Sequence, residues 1–221
     1  MEKKLFSGNT RKIKQTQEQS LADTFARSMT TFFRFFADTF FAKRYGHRAV
    51  VLETIAAVPG MVAGVHLHFK SLRKMKTGYG FAIREMLAEA ENERMHLMFF
   101  IAIAKPNLFE RFLVVLAQLM FMSFYFVLYM ISFQTAHRMV GYFEDEAVRS
   151  YTDYLDLIYK GEIENIHAPN LAVSYYGLEP GAKLSDMITR VRDDEMKHAK
   201  VNHRYADKAK EIKPWRIAKR Y

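Results

Sequence analysis

No cysteine occurs in the 221 residues. That excludes disulfides, thiolate metal ligation, cysteine nucleophiles and any thiol switch. Proline and glycine are scarce, at 5 and 10 residues. The breakers fall at Pro59–Gly60, Gly78–Gly80, Pro106, Gly161, Pro169, Gly177 and Pro180–Gly181. Between them no stretch alternates with the period of a strand, and the long stretches repeat with the period of a helix. No zinc-finger spacing and no aromatic RNA-binding strand accompanies the net charge of +9, so nucleic acid is not an expected partner. The first 20 residues are basic without an apolar core, unlike a secretory signal, and Glu2 and Glu18 suit a transit peptide poorly. No internal repeat stands out.

Apolar residues are abundant. They make up half the chain and include 19 Phe and 13 Met, so some apolar surface is expected to face something other than protein. Positive charge collects at the two ends, as in Lys3, Lys4, Arg11 and Lys12, and again in Lys213, Arg216, Lys219 and Arg220. Solvated tails and contact with lipid headgroups are both open readings of it. Helices are predicted over 20–43, 46–76, 80–104, 107–135, 136–160 and 183–212, with 161–182 irregular. The domain division that follows is a basic extension 1–19, a single helical domain 20–212 and a basic tail 213–221.

Two of these helices are unusual. The first places Leu21, Phe25, Met29, Phe32, Phe33, Phe36 and Phe40 at helical spacing beside Arg27, Arg34, Lys43 and Arg44, a pattern suited to a membrane interface. Residues 112–133 form 22 positions without a charge, long enough to cross a bilayer. Residues 49–69 are a weaker candidate, interrupted by Glu53, His66 and His68, the two histidines reading best as core or interface residues.

Glu93-Arg-Met-His96 and Glu195-Met-Lys-His198 are two copies of Glu-x-x-His. On a helix the i, i+3 pair projects from one face, so each helix offers a carboxylate and an imidazole to one point. Two such helices, with a single Glu from each of two others, make the ferritin-like two-metal pattern. Glu53, in an otherwise apolar turn, and Glu144 supply the extra acids. A buried unpaired carboxylate costs several kcal/mol (about 3–5 when a partner is removed), so Glu53 needs a metal, a cation or a proton. Surface ion pairs are the competing reading of each pair alone. Carboxylates with imidazoles suit iron or manganese. His96 and His198 either bind metal or hydrogen-bond the ligating carboxylates. His137, Glu144 and Tyr151 are spaced by seven and share a helix face; Tyr151 is either a core tyrosine or a donor of an electron and a proton. If residues 112–133 spanned a bilayer, Glu93 and Glu144 would be parted by it, so a shared site predicts that this helix lies along the membrane surface.

At these residues the chain resembles the alternative oxidases, cyanide-insensitive ubiquinol oxidases of mitochondria and some bacteria. The blocks appear in order: Leu52-Glu-Thr54, Asn92-Glu-Arg-Met-His-Leu97, Phe143-Glu-Asp-Glu-Ala147 and Arg192-Asp-Asp-Glu-Met-Lys-His198. The linking runs 57–61, 136–142 and 201–203 match as well. The resemblance implies an all-α, ferritin-like four-helix bundle with two iron ions, plus two apolar helices lying on the membrane surface. By it, Glu53, Glu93, Glu144 and Glu195 are metal ligands with His96 and His198 beside them. Tyr151 and Tyr175 are the family's tyrosines, and His137, Asn92 and Asp194 surround the ligands. Arg48, Leu52, Glu146 and Ala147 match positions lining a quinol pocket, with Arg27 and Met122 looser matches. Ubiquinol, O₂, a lipid surface and a homodimer are the partners implied. A plastoquinol-type oxidase or a ferritin-like iron protein are the alternatives. Phe143 and Asp145 stand where Leu and Glu are usual, Asp193 where Ala is, and Tyr176 where many members have Trp. The absence of a clear transit peptide points to a bacterial member at the cytoplasmic face of the inner membrane; a mature organellar chain would sit on the matrix side.

Overall fold

Seven helices make up the described residues, 21–41 and 45–211, of the computed structural model: α1 (Leu21–Phe41), α2 (Tyr45–Lys74), α3 (Gly80–Ala104), α4 (Leu108–Ile131), α5 (Phe133–Tyr159), α6 (Asn170–Tyr176) and α7 (Leu184–Glu211). The extensions 1–19 and 213–221 lie outside the described residues, as do the side chains of Phe36 and Phe40. The only β-bridge among the described residues pairs His167 with Lys183.

Local chemistry sets the helix ends. Lys105 closes α3 in the left-handed conformation, with φ 47°. Asn107 then opens α4 with a reciprocal cap: its side chain accepts from the Glu110 amide at 2.9 Å, and its amide donates to the Glu110 carboxylate at 2.9 Å. Ser132, extended at φ −149° and ψ 95°, ends α4 and caps α5 by accepting from the Thr135 amide at 3.2 Å. The apolar run through Phe133 conceals that break, so the expected boundary at 135/136 lies four residues too late. The short helix α6 replaces part of the stretch expected to be irregular. Seven residues are too few to display periodicity; Pro169 precedes it and Gly177, at φ 60°, ends it.

Helices α2, α3, α5 and α7 form the four-helix bundle. Gly46 of α2 lies beside Ala104 of α3, and Gly60 beside Met86 and Ala90, so these two run antiparallel. In α5 and α7, Arg138 meets Asp207 and Asp145 meets His203, also antiparallel. One apolar layer holds Ala49, Phe99, Phe100, Leu155, Met187 and Val191. The other holds Val58, Val62, Met86, Tyr125, Met139 and Val140. In sequence, Glu53, Glu93, Glu144 and Glu195 fall between these layers on the four bundle helices.

Gly60 sets how closely α2 and α3 approach. A Cβ there would lie 2.4 Å from the Met86 carbonyl oxygen and 3.0 Å from Ala90 Cβ, and a backbone oxygen has no rotamer to escape into. Gly60→Ala is expected to destabilise the fold by about 1–3 kcal/mol, read as a lower midpoint in thermal unfolding. An unchanged midpoint would show that the helices part at no cost.

Helices α1 and α4 lie outside the bundle, α1 chiefly against α5 and α4 against α2 and, at its C-terminal half, α5. Phe33 packs edge-on against Phe121 at 5.8 Å and against Phe143 at 5.6 Å. Phe121 of α4 lies against Phe143 of α5, and Tyr129 against His137, so α4 runs antiparallel to α5. Beneath α1, Arg138 of α5 is buried in a bridge to Asp23 at 2.9 Å. The outward faces are strongly apolar: Phe25, Phe32 and Phe35 on α1, and Phe109, Phe112, Leu119, Met120, Val127 and Met130 on α4, are all exposed.

Candidate metal centre

Four helices deliver six buried ligand-type side chains to one point. Glu53, Glu93, His96 and Glu195 present ligand atoms within 4.8 Å of one another, as do Glu93, Glu144, Glu195 and His198. Glu93 and Glu195 belong to both groups. The geometry is therefore that of two adjacent cation sites sharing two carboxylates, with one further Glu and one His on each side. His96 Nδ1 lies 3.1 Å from Glu195, 3.5 Å from Glu53 and 3.6 Å from Glu93. His198 Nδ1 lies 2.5 Å from Glu93 and 3.7 Å from Glu195. Both imidazoles thus turn the same nitrogen toward the acids.

Glu53 Oε2, both oxygens of Glu93 and of Glu195, and the Nδ1 atoms of His96 and His198 make no hydrogen bond among the described residues, although all are buried. Polar atoms in such a place normally find partners. Seven of them converging, in a hard oxygen-and-imidazole set, fit two iron ions.

The four carboxylates titrate differently. Burial, and then the Glu195 charge, push Glu53 well up. Burial and the charges of Glu195 and Glu93 do the same to Glu144. Burial also acts to raise Glu93, but His198 and His96 outweigh it and hold that carboxyl below its ordinary range. Glu195 is lowered as well, the neighbouring His198 and His96 imidazoles overcoming burial and the Glu93 charge. Cations entering here displace protons, so metal affinity rises with pH.

The surrounding residues follow. Tyr151, stacked on Phe100 at 5.7 Å, donates its hydroxyl to Glu53 Oε1. Burial and then the Glu53 charge push its phenol well up, so it remains protonated. Asn92 donates to the Tyr175 hydroxyl at 2.9 Å and to Asp194 at 3.2 Å. Burial works to raise Asp194, but bonds from His96, Lys197, Tyr176 and Asn92 hold it well below the carboxylate range.

His137 shares the helix face of Glu144 and Tyr151 but lies two turns from Glu144, and it bonds Asn202 Oδ1 at 2.7 Å instead of a ligand. Asn202 in turn donates to Glu89 Oε1 at 2.9 Å and to the His198 carbonyl at 3.1 Å. Burial lowers His137 to about 4, so the ring is neutral at pH 7.

Sequence reasoning gave no site role to Glu89, Asn202 or Tyr176. Glu89 sits one turn before Glu93, inside the helix-face pattern of the first Glu-x-x-His block, and that spacing was the available signal. Burial raises it to about 7 from 4.5. Between those pH values the folded protein keeps a proton that the unfolded chain releases. Stability therefore falls as pH rises through this window, by an amount on the order of 3 kcal/mol. Glu89→Gln cannot ionise, and its denaturation midpoint is expected to fall less than the parent's between pH 5 and 8, as urea titrations would measure. Parallel pH profiles for the two proteins would remove Glu89 as the source.

A cavity of about 230 Å³ opens onto the cluster, with Glu53, Glu144 and Glu195 in its wall. Arg48, Leu52, Glu146 and Ala147 line it, joined by Phe33, Ile55, Pro59 and Ser150. Arg34 bridges to Glu146 at 3.1 Å at its edge. Arg27 and Met122 do not line it. Arg27 instead caps the Tyr142 ring at 4.4 Å, because its position on α1 faces a part of α5 one turn before Glu146. Met122 packs against the apolar layer around Phe121 and Tyr125.

The family description "Alternative oxidase" matches residues 6–207. The chain belongs to the alternative oxidase family. Similar relatives are the ubiquinol oxidase, mitochondrial, of Batrachochytrium dendrobatidis, 51% identical over 189 residues, covering 86% of this chain and 60% of the relative. The ubiquinol oxidase 1c, mitochondrial, of Arabidopsis thaliana is 50% identical over 188 residues, 85% of this chain and 57% of the relative. The ubiquinol oxidase 1, mitochondrial, of Glycine max is 51% identical over 174 residues, 79% of this chain and 54% of the relative. The chain thus spans between half and two thirds of the length of these relatives. Alternative oxidases are di-iron helical-bundle enzymes, and the all-helical bundle with its Glu/His cluster here agrees with that.

Proposed function

We propose that this alternative oxidase oxidises ubiquinol and reduces O₂ to water. The observation that carries the reading is the shared wall: an apolar cavity large enough for one substituted ring ends on three carboxylates of the six-residue cluster. A ferritin-like iron protein has no use for such a cavity. Two bound iron ions would be held by Glu53, Glu93, Glu144 and Glu195 with His96 and His198, and would supply the storage and transfer of electrons between quinol and O₂. Two quinols give the four electrons and four protons that convert one O₂ to two waters.

The protein's own residues position and move protons. Arg48 and Glu146 flank the cavity with a cation and an anion able to orient the quinol oxygens, while Phe33, Leu52 and Ile55 hold its ring. Carboxylates in the cavity wall accept protons from the quinol hydroxyls. Tyr151 holds a proton at Glu53 Oε1, next to the electron-accepting site. Arg48→Ala is expected to raise the KM for quinol about tenfold, equivalent to about 1.4 kcal/mol of lost binding, with iron content unchanged. A normal KM would place the headgroup elsewhere.

The membrane arrangement we infer is monotopic. At 24 residues, α4 is about 36 Å long and could cross a bilayer. Its C-terminal half, however, packs on α5 where Phe121 meets Phe143 and Tyr129 meets His137, next to Arg138, Glu144, Asp145 and Glu146. Carrying those charges into hydrocarbon costs about 2.5–3.5 kcal/mol for each central Arg or Asp on insertion scales. An α4 lying flat avoids this and gives its exposed Phe, Leu and Met side chains to lipid, with α1 beside it. Among the described residues, two helices are long and apolar enough to cross a membrane, α4 and the stretch Gly46–Lys74, which is 56% buried in the bundle. A site on one face has no route for moving protons across the membrane, so quinol oxidation here pumps none. The resident membrane is the bacterial inner membrane at its cytoplasmic face, or the matrix face of the mitochondrial inner membrane for an organellar chain, and a homodimer is the assembly.

Cyanide-insensitive oxygen uptake by purified, iron-analysed protein tests the function. A short-tail ubiquinol is expected to support it faster than a plastoquinol analogue. Iron bound at two per chain with no uptake from either quinol would favour an iron-binding protein instead.

A further inference from the structure

Away from the metal cluster, a second group of charged side chains surrounds Arg138 of α5. Its guanidinium is buried and joins three helices. Nε lies 2.9 Å from Asp23 of α1 in an ion pair, Nη2 donates to Asp207 of α7, and Nη1 lies 2.9 Å from His203 Nδ1, also on α7. An arginine only donates, so Nδ1 is the bare, accepting nitrogen of that ring. The ring hydrogen is then on Nε2, which lies 2.9 Å from Asp145 Oδ2 and donates to it. His203 is neutral in this arrangement. The ring has little room to turn aside. Gly141 lies beneath it, where a Cβ would come within 2.6 Å of Nδ1 and Cε1, and Tyr142 stands edge-on at 5.3 Å. The His203 side chain is still 25% exposed, so protons reach it from water.

We propose that His203 is a pH-responsive latch that fastens α1 to the bundle. A proton on Nδ1 takes away the acceptor that Arg138 uses and sets two cations 2.9 Å apart. Arg138 then withdraws toward Asp207, whose side chain is 58% exposed. Asp23, only 11% exposed, loses its partner, and a buried carboxylate left alone is costly. The groups facing the ring are Arg138 and Asp145 from α5 and, beyond the guanidinium on its own helix, Asp207. From α1, Asp23 stands behind Arg138, and Arg27 covers the Tyr142 ring at 4.4 Å. Tyr142 reaches Asp23 at 3.5 Å. Within this set the imidazole is the group type that ordinarily changes charge near neutrality. The latch therefore holds at the alkaline side of that range and releases at the acid side. Helix α1 supplies Thr30, Phe33 and Arg34 to the large cavity, with a second charged tie from Arg34 to Glu146 at 3.1 Å. Releasing the Asp23 end loosens that wall, and the consequence for quinol rests on the reading of this cavity as the quinol site.

Amide hydrogen exchange of the whole chain in detergent, expressed as protection factors, reads α1 directly. Between about pH 7.5 and about pH 5.5, the range that spans ordinary histidine titration, protection in α1 of the parent is expected to fall. The expected fall is about tenfold, between the few-fold worth of an exposed ion pair and the roughly hundredfold or more of a buried one. His203→Gln keeps an acceptor for Arg138 and a donor for Asp145 and takes up no proton here, so its protection should stay level. Glu89 titrates in the same window but is common to both proteins. A parent whose α1 protection ignores pH, or a variant that follows the parent, overturns the proposal. If His203→Gln fails to fold, long-range ¹H–¹⁵N spectra of the parent decide. His203 Nδ1 is expected to be bare at the alkaline end, and a hydrogen on it there overturns the proposal. The KM for quinol, measured alongside, should rise toward acid pH in the parent and not in the variant. Lost protection with an unchanged KM upholds the latch and counts against the cavity as the quinol site.

Discussion

Glu93→Ala is expected to abolish quinol-dependent oxygen uptake and to reduce bound iron to one ion per chain or fewer. Glu93 is one of two residues common to both donor groups, so its loss damages both cation sites together. It is fully buried, and its partner His198 stands 2.5 Å away. Alanine leaves His198 facing the remaining acids without its principal anion. Metal-supplied charge stabilisation is worth several kcal/mol, which at 1.36 kcal/mol per tenfold corresponds to at least about 10³-fold in rate. Glu144→Ala belongs to one group alone and should spare one ion, with a correspondingly higher residual iron content. Equal iron in the two variants would show that the sharing of Glu93 is incorrectly assigned.

Tyr151→Phe should separate chemistry from metal binding. The substitution keeps the ring that stacks on Phe100 and removes only the hydroxyl donated to Glu53. Iron is expected to stay at two per chain, since the substitution leaves all six Glu and His donors in place. Oxygen uptake is expected to fall by about 10²-fold or more, the usual size of a lost proton donor, with the quinol KM little changed. Loss of iron in parallel with activity would assign Tyr151 a purely structural part.

The reasons some features could be read from sequence and others could not are visible in particular residues. Glu93 with His96 and Glu195 with His198 were legible because three-residue spacing on a helix is a geometric statement. Glu53 was legible because a lone acid among Val50, Val51, Leu52 and Ile55 must be neutralised. With Glu144, those three acids also dictated the bundle, since one point can be reached from four helices only if they pack side by side. Asn202 and Tyr176 carry no spacing of this kind, and Glu89 had only its one-turn offset from Glu93. Asn202 acquires its meaning from lying between His137 on α5 and Glu89 on α3, a contact between helices far apart in sequence. Tyr176 lies on the seven-residue helix α6, too short for any periodicity. His137 illustrates the converse: the shared face with Glu144 was real, yet a two-turn offset along α5 carried its ring to Asn202. Arg27 and Met122 were assigned by resemblance at positions where local packing, against Tyr142 and against Phe121, takes the side chain elsewhere.

The apolar helices raised the opposite difficulty. Hydropathy by itself assigns α4 to the bilayer interior, because composition records that a helix is greasy and not which of its neighbours are charged. The packing of α4 on α2 and on the charged helix α5 is what composition lacks, and Phe33 of α1 meets Phe121 of α4 beside it.

Iron-edge anomalous scattering from crystals of the purified protein tests the metal centre most directly. Two peaks about 3.5–4 Å apart, enclosed by Glu53, Glu93, Glu144 and Glu195 with His96 and His198 at their flanks, are the expected result. A single peak, or iron bound away from these six side chains, would contradict it.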